Sequence, residues 1–370
     1  MISTPILQFG TSRFLQAHAD LFVSEALTAD KAVGKITIVQ SSGSADRAGR
    51  LAALADEVGY PVQVRGLSDG QVVDYETRVH SVARTLSTQT DWDEIQRIAV
   101  EEAQFILSNT SDTGFQPSLA DSELNFVQSM SYPAKLLQLL IARFQAGAGG
   151  IQVMPMELIV DNGQALRDRV LEIAKVHPQA GLIAYLKNDV VWVNSLVDRI
   201  VSEPIEPAGA VAEPYALWAI ENQAGLQLPC EHPSVQVVDS LEVTESLKLF
   251  ILNLGHTYLV NRWQQAGTEQ HEFVRELLDD ADYSAALKSL YETEVIPGFN
   301  AAGLQQAAED YVLATMDRFA NPFLDHKLVD IAQNHTEKVE RRIKAFLAWA
   351  ARNGDESAKP QLATIVANQS

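Results

Sequence analysis

The chain has 370 residues, 46% hydrophobic and 21% charged, with 28 basic against 48 acidic side chains and a net charge of −20. That length allows two domains with sizeable cores, and the composition is that of a soluble globular protein rather than a disordered or fibrous one. The acidic balance argues against nucleic acid or an anionic membrane as partner, and no apolar run nears the ~18 residues of a bilayer span. An anionic ligand would need basic residues concentrated locally, against the overall field. The lone Cys230 excludes an intrachain disulfide and a zinc thiolate cluster, and the eight histidines show neither HxH nor HExxH spacing, so no metal site is expected. The N-terminus MISTPILQFG lacks the basic start and long apolar core of a signal peptide, which points to the cytoplasm.

From the N-terminus, Pro5 to Gly10 reads as a short strand ending in a glycine turn, followed by a helix with apolar periodicity through Phe14, Leu21, Phe22 and Ala26. A second strand, KITIVQ (Lys35 to Gln40), completes a βαβ spacing suited to a dinucleotide pyrophosphate. A third apolar run, FILSNT, ends at Thr110. Ligands of open parallel sheets sit at such strand ends, so the candidate cofactor contacts are Phe9, Gly10, Ser12 and Phe14, then Gln40 and Ser41, then Asn109 and Thr110. The glycine fingerprint is incomplete, with Ser12 and Gln16 where further small residues would help. After the second strand the chain gives Gln40, Ser41, Ser42 and Gly43 rather than an acid for the ribose; the nearest acid is Asp46. Arg47 or Arg50 suits a 2′-phosphate, so NAD is expected with NADP left open.

IQVMPMELIV (151–160) is strand-like, and the helix after it starts near Asp161 and Asn162, which serve either as N-caps or, for Asn162, as a substrate contact. VVWVNSLVDRIV (190–201) reads as strand, its Asp198 and Arg199 pairing with neighbouring groups in a sheet. The proline-rich stretch 204–214 reads as a surface loop. From Leu241 to Ala367 helical periodicity takes over. The expected fold is thus an α/β N-terminal Rossmann-type dinucleotide-binding domain over 1–240, followed by an all-α C-terminal domain over 241–370 that binds substrate.

At the start of the second domain, ESLKLFILNLGHTY places polar residues on one flank of an apolar helix. At about 100° per residue, Asn253 falls about 140° and His256 about 80° from Lys248, within one arc that also holds Glu245. A lysine base requires desolvation, because burial lowers the pKa of an amine toward neutrality. Asn253 and His256 then donate hydrogen bonds to an alkoxide or carbonyl oxygen. The plainer reading of the same spacing is a surface-edge helix with ordinary polar residues.

Seven segments carry a resemblance: QFGTSRFLQAH, FILSNTSDTGF, SYPAKLLQLLIARF, PMELIVDNGQALR, LVDRIV, KLFILNLGHT and RFANPFLDHKL. Together, in order across almost the whole chain, they resemble the mannitol dehydrogenase family of polyol-specific long-chain dehydrogenases, which includes the hexuronate reductases. The resemblance implies a Rossmann-type cofactor domain, a helical substrate domain and metal-independent hydride transfer at the cleft between them. It implies that Lys248 is the general acid/base, with Asn253 and His256 polarising the reacting oxygen. Arg318 and His326, on a helix taken to begin near Arg318 after an Asn321–Pro322 turn, would bind substrate hydroxyls or a carboxylate. Leu158 stands where mannitol-type members carry an asparagine and hexuronate-type members a leucine, so the implied substrate is a linear sugar acid of the altronate/tagaturonate type. Ser12 departs from the family's G-x-G turn, and the segment before Lys248 is shorter than in hexuronate reductases. Two further readings remain: an alditol or alditol phosphate dehydrogenase of the same family, and a non-catalytic NAD-binding protein. Oligomeric state is open.

Overall fold

The computed structural model describes residues 3–42, 48–110, 114–267 and 270–368. It divides into two compact units. The first comprises Met1–Val64, Tyr75–Ala212 and Ala216–Leu241, and the second Arg65–Asp74, Glu213–Tyr215 and Glu242–Ser370.

In chain order the strands are β1 (Ile6–Phe9), β2 (Ile36–Gln40), β3 (Tyr60–Ser68), β4 (Gln71–Val79), β5 (Val82–Ser87), β6 (Phe105–Ser108), β7 (Ile151–Pro155), β8 (Val190–Trp192), β9 (Ser195–Asp198), β10 (Val201–Pro204), β11 (Ala210–Ala212), β12 (Leu217–Glu221) and β13 (Val235–Val238). Six of them form an all-parallel sheet in the order β5-β2-β1-β6-β7-β8. Renumbered within that sheet this is 3-2-1-4-5-6, the doubly wound order that reverses direction between β1 and β6. Strands covered on both faces read as continuous apolar runs, and β1, β2, β6 and β7 are buried at every position.

The helix Tyr132–Ala146 packs on this sheet, starting at Ser131, whose hydroxyl accepts from the Ala134 N–H, and stopping at Gly147 with φ +65°. Pro133 sits in its first turn and costs no hydrogen bond there. Leu136, Leu137, Leu139 and Leu140 from this helix join Leu7, Phe9, Ile106 and Val153 in one core.

The expected first helix is broken in two, Arg13–Gln16 and Ala19–Thr28, because His18 leaves helical geometry at φ −128°, ψ −101°. Its buried imidazole bonds the Leu217 carbonyl at 3.0 Å, and the Arg199 guanidinium donates to the Ala17 carbonyl freed by the break. The run 190–201 is one strand by pattern but three in space: β8 belongs to the parallel sheet, β9 pairs with β12, and β10 pairs with β11. The stretch 204–214 is likewise more than a loop. It contains β11, and Ala208, Ala210, Ala212 and Glu213 are buried.

The second unit is helical after Leu241, with a core that includes Tyr258, Leu259, Tyr291, Phe299, Phe319 and Phe346. Its last helix, Pro360–Ala367, is fastened by the buried Glu294 carboxylate, which accepts from the Gln361 and Leu362 N–H groups at 2.9 and 3.0 Å. These are orphan donors of a helix start. Among the described residues three segments have π-helical hydrogen bonding: Lys248–Asn253, Tyr291–Val295 and Val339–Lys344.

Candidate functional site

At the C-terminal ends of β1, β2 and β6, at the reversal of strand order, lies a cavity of about 510 Å³. Six of the eight positions expected to contact a cofactor line it: Gly10, Ser12, Gln40, Ser41, Asn109 and Thr110. Phe9 does not; it is wholly buried against Tyr132, ring centres 5.3 Å apart. Phe14 stacks on His18 at 4.7 Å instead of lining the cavity. Among the described residues Thr11, Arg13, Ser42 and Arg50 also line it. Asp46 and Arg47 lie outside the described residues.

Gly10 is required by geometry. It has φ +126°, and a Cβ there would stand 2.6 Å from the Asn109 carbonyl oxygen. Ser12, the departure from the usual glycine, caps the helix Arg13–Gln16: its hydroxyl accepts from the Leu15 N–H at 3.2 Å and donates to the Asn109 Oδ1 at 3.2 Å. Asn109 in turn donates to the Met156 carbonyl at 2.8 Å, so the turn after β1 and the turn after β6 are one hydrogen-bonded assembly.

Glu157, to which the sequence reading gave no role, holds this assembly from behind. Its buried carboxylate accepts from the Ser108 hydroxyl, the Thr110 N–H and the Thr110 hydroxyl, each at 3.0 Å, and burial raises its pKa. On the other side the Ser41 carbonyl accepts from Lys135 Nζ at 2.8 Å and from Gln128 at 3.1 Å, and burial brings the Lys135 amine down to about 8. Asn162 is spent internally. Its amide nitrogen donates to the carbonyls of Pro155, Glu157 and Ser195 and its oxygen accepts from the Ser195 N–H, all at 2.8–3.1 Å, which engages both N–H donors of the buried side chain within the protein. The N-cap position falls on Asp161, at φ +50° and without a side-chain cap bond.

In the second unit, Lys248, Asn253 and His256 follow one another along a continuous helical segment, but Lys248–Asn253 is a π turn rather than α-helix. A ladder running i→i+5 brings residues five apart toward the same face, so Lys248 and Asn253 are closer to alignment than a regular helical wheel places them. Tyr291 supports the irregular turn by donating its hydroxyl to the Ile251 carbonyl at 3.0 Å. The helices touch so closely here that a Cβ on Gly255 would meet that hydroxyl oxygen at 2.0 Å.

His256 is buried between the rings of Phe319, at 4.2 Å, and His326, at 4.9 Å edge-on. Burial, followed by the nearby His326, Arg342, Arg318 and Lys338, drives its pKa well below the usual imidazole value, so the ring is neutral and offers one N–H. Lys248 is half-buried. The Asn253 carbonyl accepts from Arg342 at 3.2 Å and from the Thr257 hydroxyl at 3.0 Å.

Arg318 is placed differently from the sequence reading. It sits in the last turn of the helix Gln305–Phe319, not at the start of one, and Asn321 forms the turn that follows by accepting from the Phe323 N–H. Its guanidinium is buried, lies over the Tyr215 ring at 4.4 Å and grips Glu213 through Nε and Nη2, at 3.0 and 2.8 Å. Two of the five guanidinium N–H donors are thereby committed to an internal carboxylate.

Residues 4–229 match the Mannitol dehydrogenase Rossmann domain and residues 240–369 the Mannitol dehydrogenase C-terminal domain. The altronate oxidoreductase of Bacillus subtilis is 29% identical over 91% of this chain and 73% of its own length, and that of Escherichia coli 30% over 94% and 76%. Among solved structures, a D-sorbitol dehydrogenase in substrate-free form covers the whole chain and 80% of its own, with TM-score 0.85 at 20% identity. The Pseudomonas fluorescens mannitol 2-dehydrogenase ternary complex with NAD and D-mannitol covers the whole chain and 78% of its own, at TM-score 0.73 and 19% identity. With a Rossmann unit and a helical unit each matched over nearly their full length, the chain belongs to the mannitol dehydrogenase family of oxidoreductases.

Proposed function

We propose that the chain is an NAD-dependent oxidoreductase that interconverts a secondary alcohol and a ketone on a linear sugar acid of the altronate/tagaturonate type. The observation carrying this reading is the neutral, buried His256 within a basic surround, on the same helical segment as Lys248 and Asn253. The altronate oxidoreductase relatives support the sugar acid.

The residues around the cavity in the first unit fit a dinucleotide. Gly10 lets the backbone approach a pyrophosphate, and Gln40, Ser41 and Ser42 border the ribose end with Arg50, which also suits a 2′-phosphate. Bound there, NAD supplies the hydride acceptor. Lys248 removes the hydroxyl proton in the oxidation direction and returns it in reduction. Asn253 and His256 donate hydrogen bonds to the substrate oxygen as negative charge develops on it, the neutral imidazole through its one N–H.

The test is to follow reduced nicotinamide by absorbance with NAD and NADP against altronate, mannonate, mannitol, arabinitol, altritol and their phosphates. Aldonate turnover supports the reading, whereas turnover confined to neutral polyols moves the chain to an alditol dehydrogenase. That second reading is favoured by one observation: Arg318, which the sequence nominated for a carboxylate, is occupied by Glu213. Silence with every substrate would return the non-catalytic alternative.

A further inference from the structure

Beside Asn253 the second unit carries a recess of about 220 Å³ whose wall includes Asn334, Glu337, Lys338, Arg341 and Arg342. Three cations face one carboxylate, in a chain whose net charge is −20. Glu337 is engaged by Arg341 at 3.4 Å, both largely exposed. Lys338 donates to the Ile331 carbonyl at 2.8 Å, and Arg342 to the Asn253 carbonyl and the Thr257 hydroxyl at 3.2 and 3.1 Å. Among the described residues neither Lys338 nor Arg342 is in an ion pair; their positions are fixed by neutral oxygens, and the one carboxylate of the recess, Glu337, which acts on Lys338 from a distance, is paired with Arg341. Their proximity shows in their proton affinities. Burial and then Arg342 lower the Lys338 pKa, and burial, Lys338 and Arg342 lower that of His335. Partly desolvated like charges held together are costly unless an anion joins them.

We propose that this recess receives the anionic end of the substrate, with Lys338 and Arg342 binding the carboxylate of a sugar acid while Asn253, on the same wall, faces the carbon chain. The inference rests on the oxidoreductase reading above and assigns to Lys338 and Arg342 the discrimination between aldonates and neutral polyols. Arg342 bridges the two tasks, because the guanidinium that would meet the carboxylate also holds the Asn253 main chain.

The experiment compares wild type with Lys338→Gln, Arg342→Gln and Arg342→Lys, using altronate, altritol and altritol phosphate with NAD, and an unfolding midpoint for each protein. Altronate KM should rise about tenfold or more in Lys338→Gln and Arg342→Gln, the weight of one lost charge-assisted hydrogen bond, so that the altronate-to-altritol ratio of kcat/KM falls in step. Arg342→Lys should recover part of the loss. If Arg342→Gln fails to fold, Lys338→Gln decides. Wild-type turnover of altronate with a KM that changes less than about threefold in Lys338→Gln would overturn the inference and leave the proposed function standing. Turnover of the phosphate but not of altronate would overturn the carboxylate assignment, and absence of any turnover by wild type would remove the oxidoreductase reading itself.

Discussion

At the scale of single residues, Lys248 carries the sharpest expectation. Lys248→Ala should lower turnover by about 10²–10⁴, the range for a positioned acid or base. Its ability to bind NADH is checked separately by fluorescence titration, and a loss of turnover below about tenfold would take Lys248 out of the mechanism. Gly10→Ala tests the cofactor turn. A Cβ 2.6 Å from the Asn109 oxygen, at φ +126°, should destabilise the fold by about 1–3 kcal/mol and weaken NADH binding together. An unchanged unfolding midpoint with unchanged NADH affinity would contradict the tight approach. Asp20 offers a pH test. It is fully buried, and burial, only partly offset by the hydrogen bond from Tyr60 at 2.8 Å, pushes its carboxyl from 3.8 up to about 7. A folded-state pKa above the unfolded value means that its contribution is complete below pH 3.8 and is lost as pH rises toward 7. Asp20→Asn should therefore gain stability relative to wild type across that interval, by a few kcal/mol at most. Urea midpoints measured against pH for both proteins give the comparison, and parallel curves would show that Asp20 does not titrate there.

At the scale of elements, the π turn Lys248–Asn253 is the feature that sets how Lys248 and Asn253 face relative to each other. It is stabilised from outside its own backbone, by the Tyr291 hydroxyl on the Ile251 carbonyl and by Arg342 on the Asn253 carbonyl. Gly255→Ala should drive a methyl into the Tyr291 hydroxyl and cost about 1–3 kcal/mol, as overpacking does. Tyr291→Phe alone should cost about 1 kcal/mol for its hydrogen bond. Combined, the two should be better than additive, since removing the hydroxyl makes room for the methyl. Chemical denaturation of the four proteins measures the coupling, and strict additivity would mean that the contact does not govern the packing. The apolar residues here announce a helix correctly, but hydrogen-bond register within it is set by Tyr291, 40 residues away from its acceptor. The same limit applies at His18, where the break in the first helix is fixed by the distant Leu217 and Arg199.

At the scale of the whole molecule, charge and topology act on function separately. A net charge of −20 repels an anionic substrate, which the recess at Lys338 and Arg342 would counter locally. The reversal of strand order between β1 and β6 opens the first unit's cavity, whatever residues line it. Among the described residues no helix is long and apolar enough to cross a membrane.

The sequence by itself determined the class of fold, the strand–turn–helix start, most of the residues around the first cavity, and the family. These rest on local signals: apolar runs of strand length, a glycine that must take positive φ, and motifs contiguous in the chain. Only the tertiary structure decided what polar side chains do once folded. Asn162 and Arg318 sit in motifs that suggested ligand binding, yet Ser195, 33 residues from Asn162, and Glu213, 105 from Arg318, occupy them. Glu157 has no signal of its own until Ser108 and Thr110 converge on it. A hydrogen-bonding group has a fixed capacity, and whether a ligand or the protein fills it depends on neighbours that the linear order does not reveal.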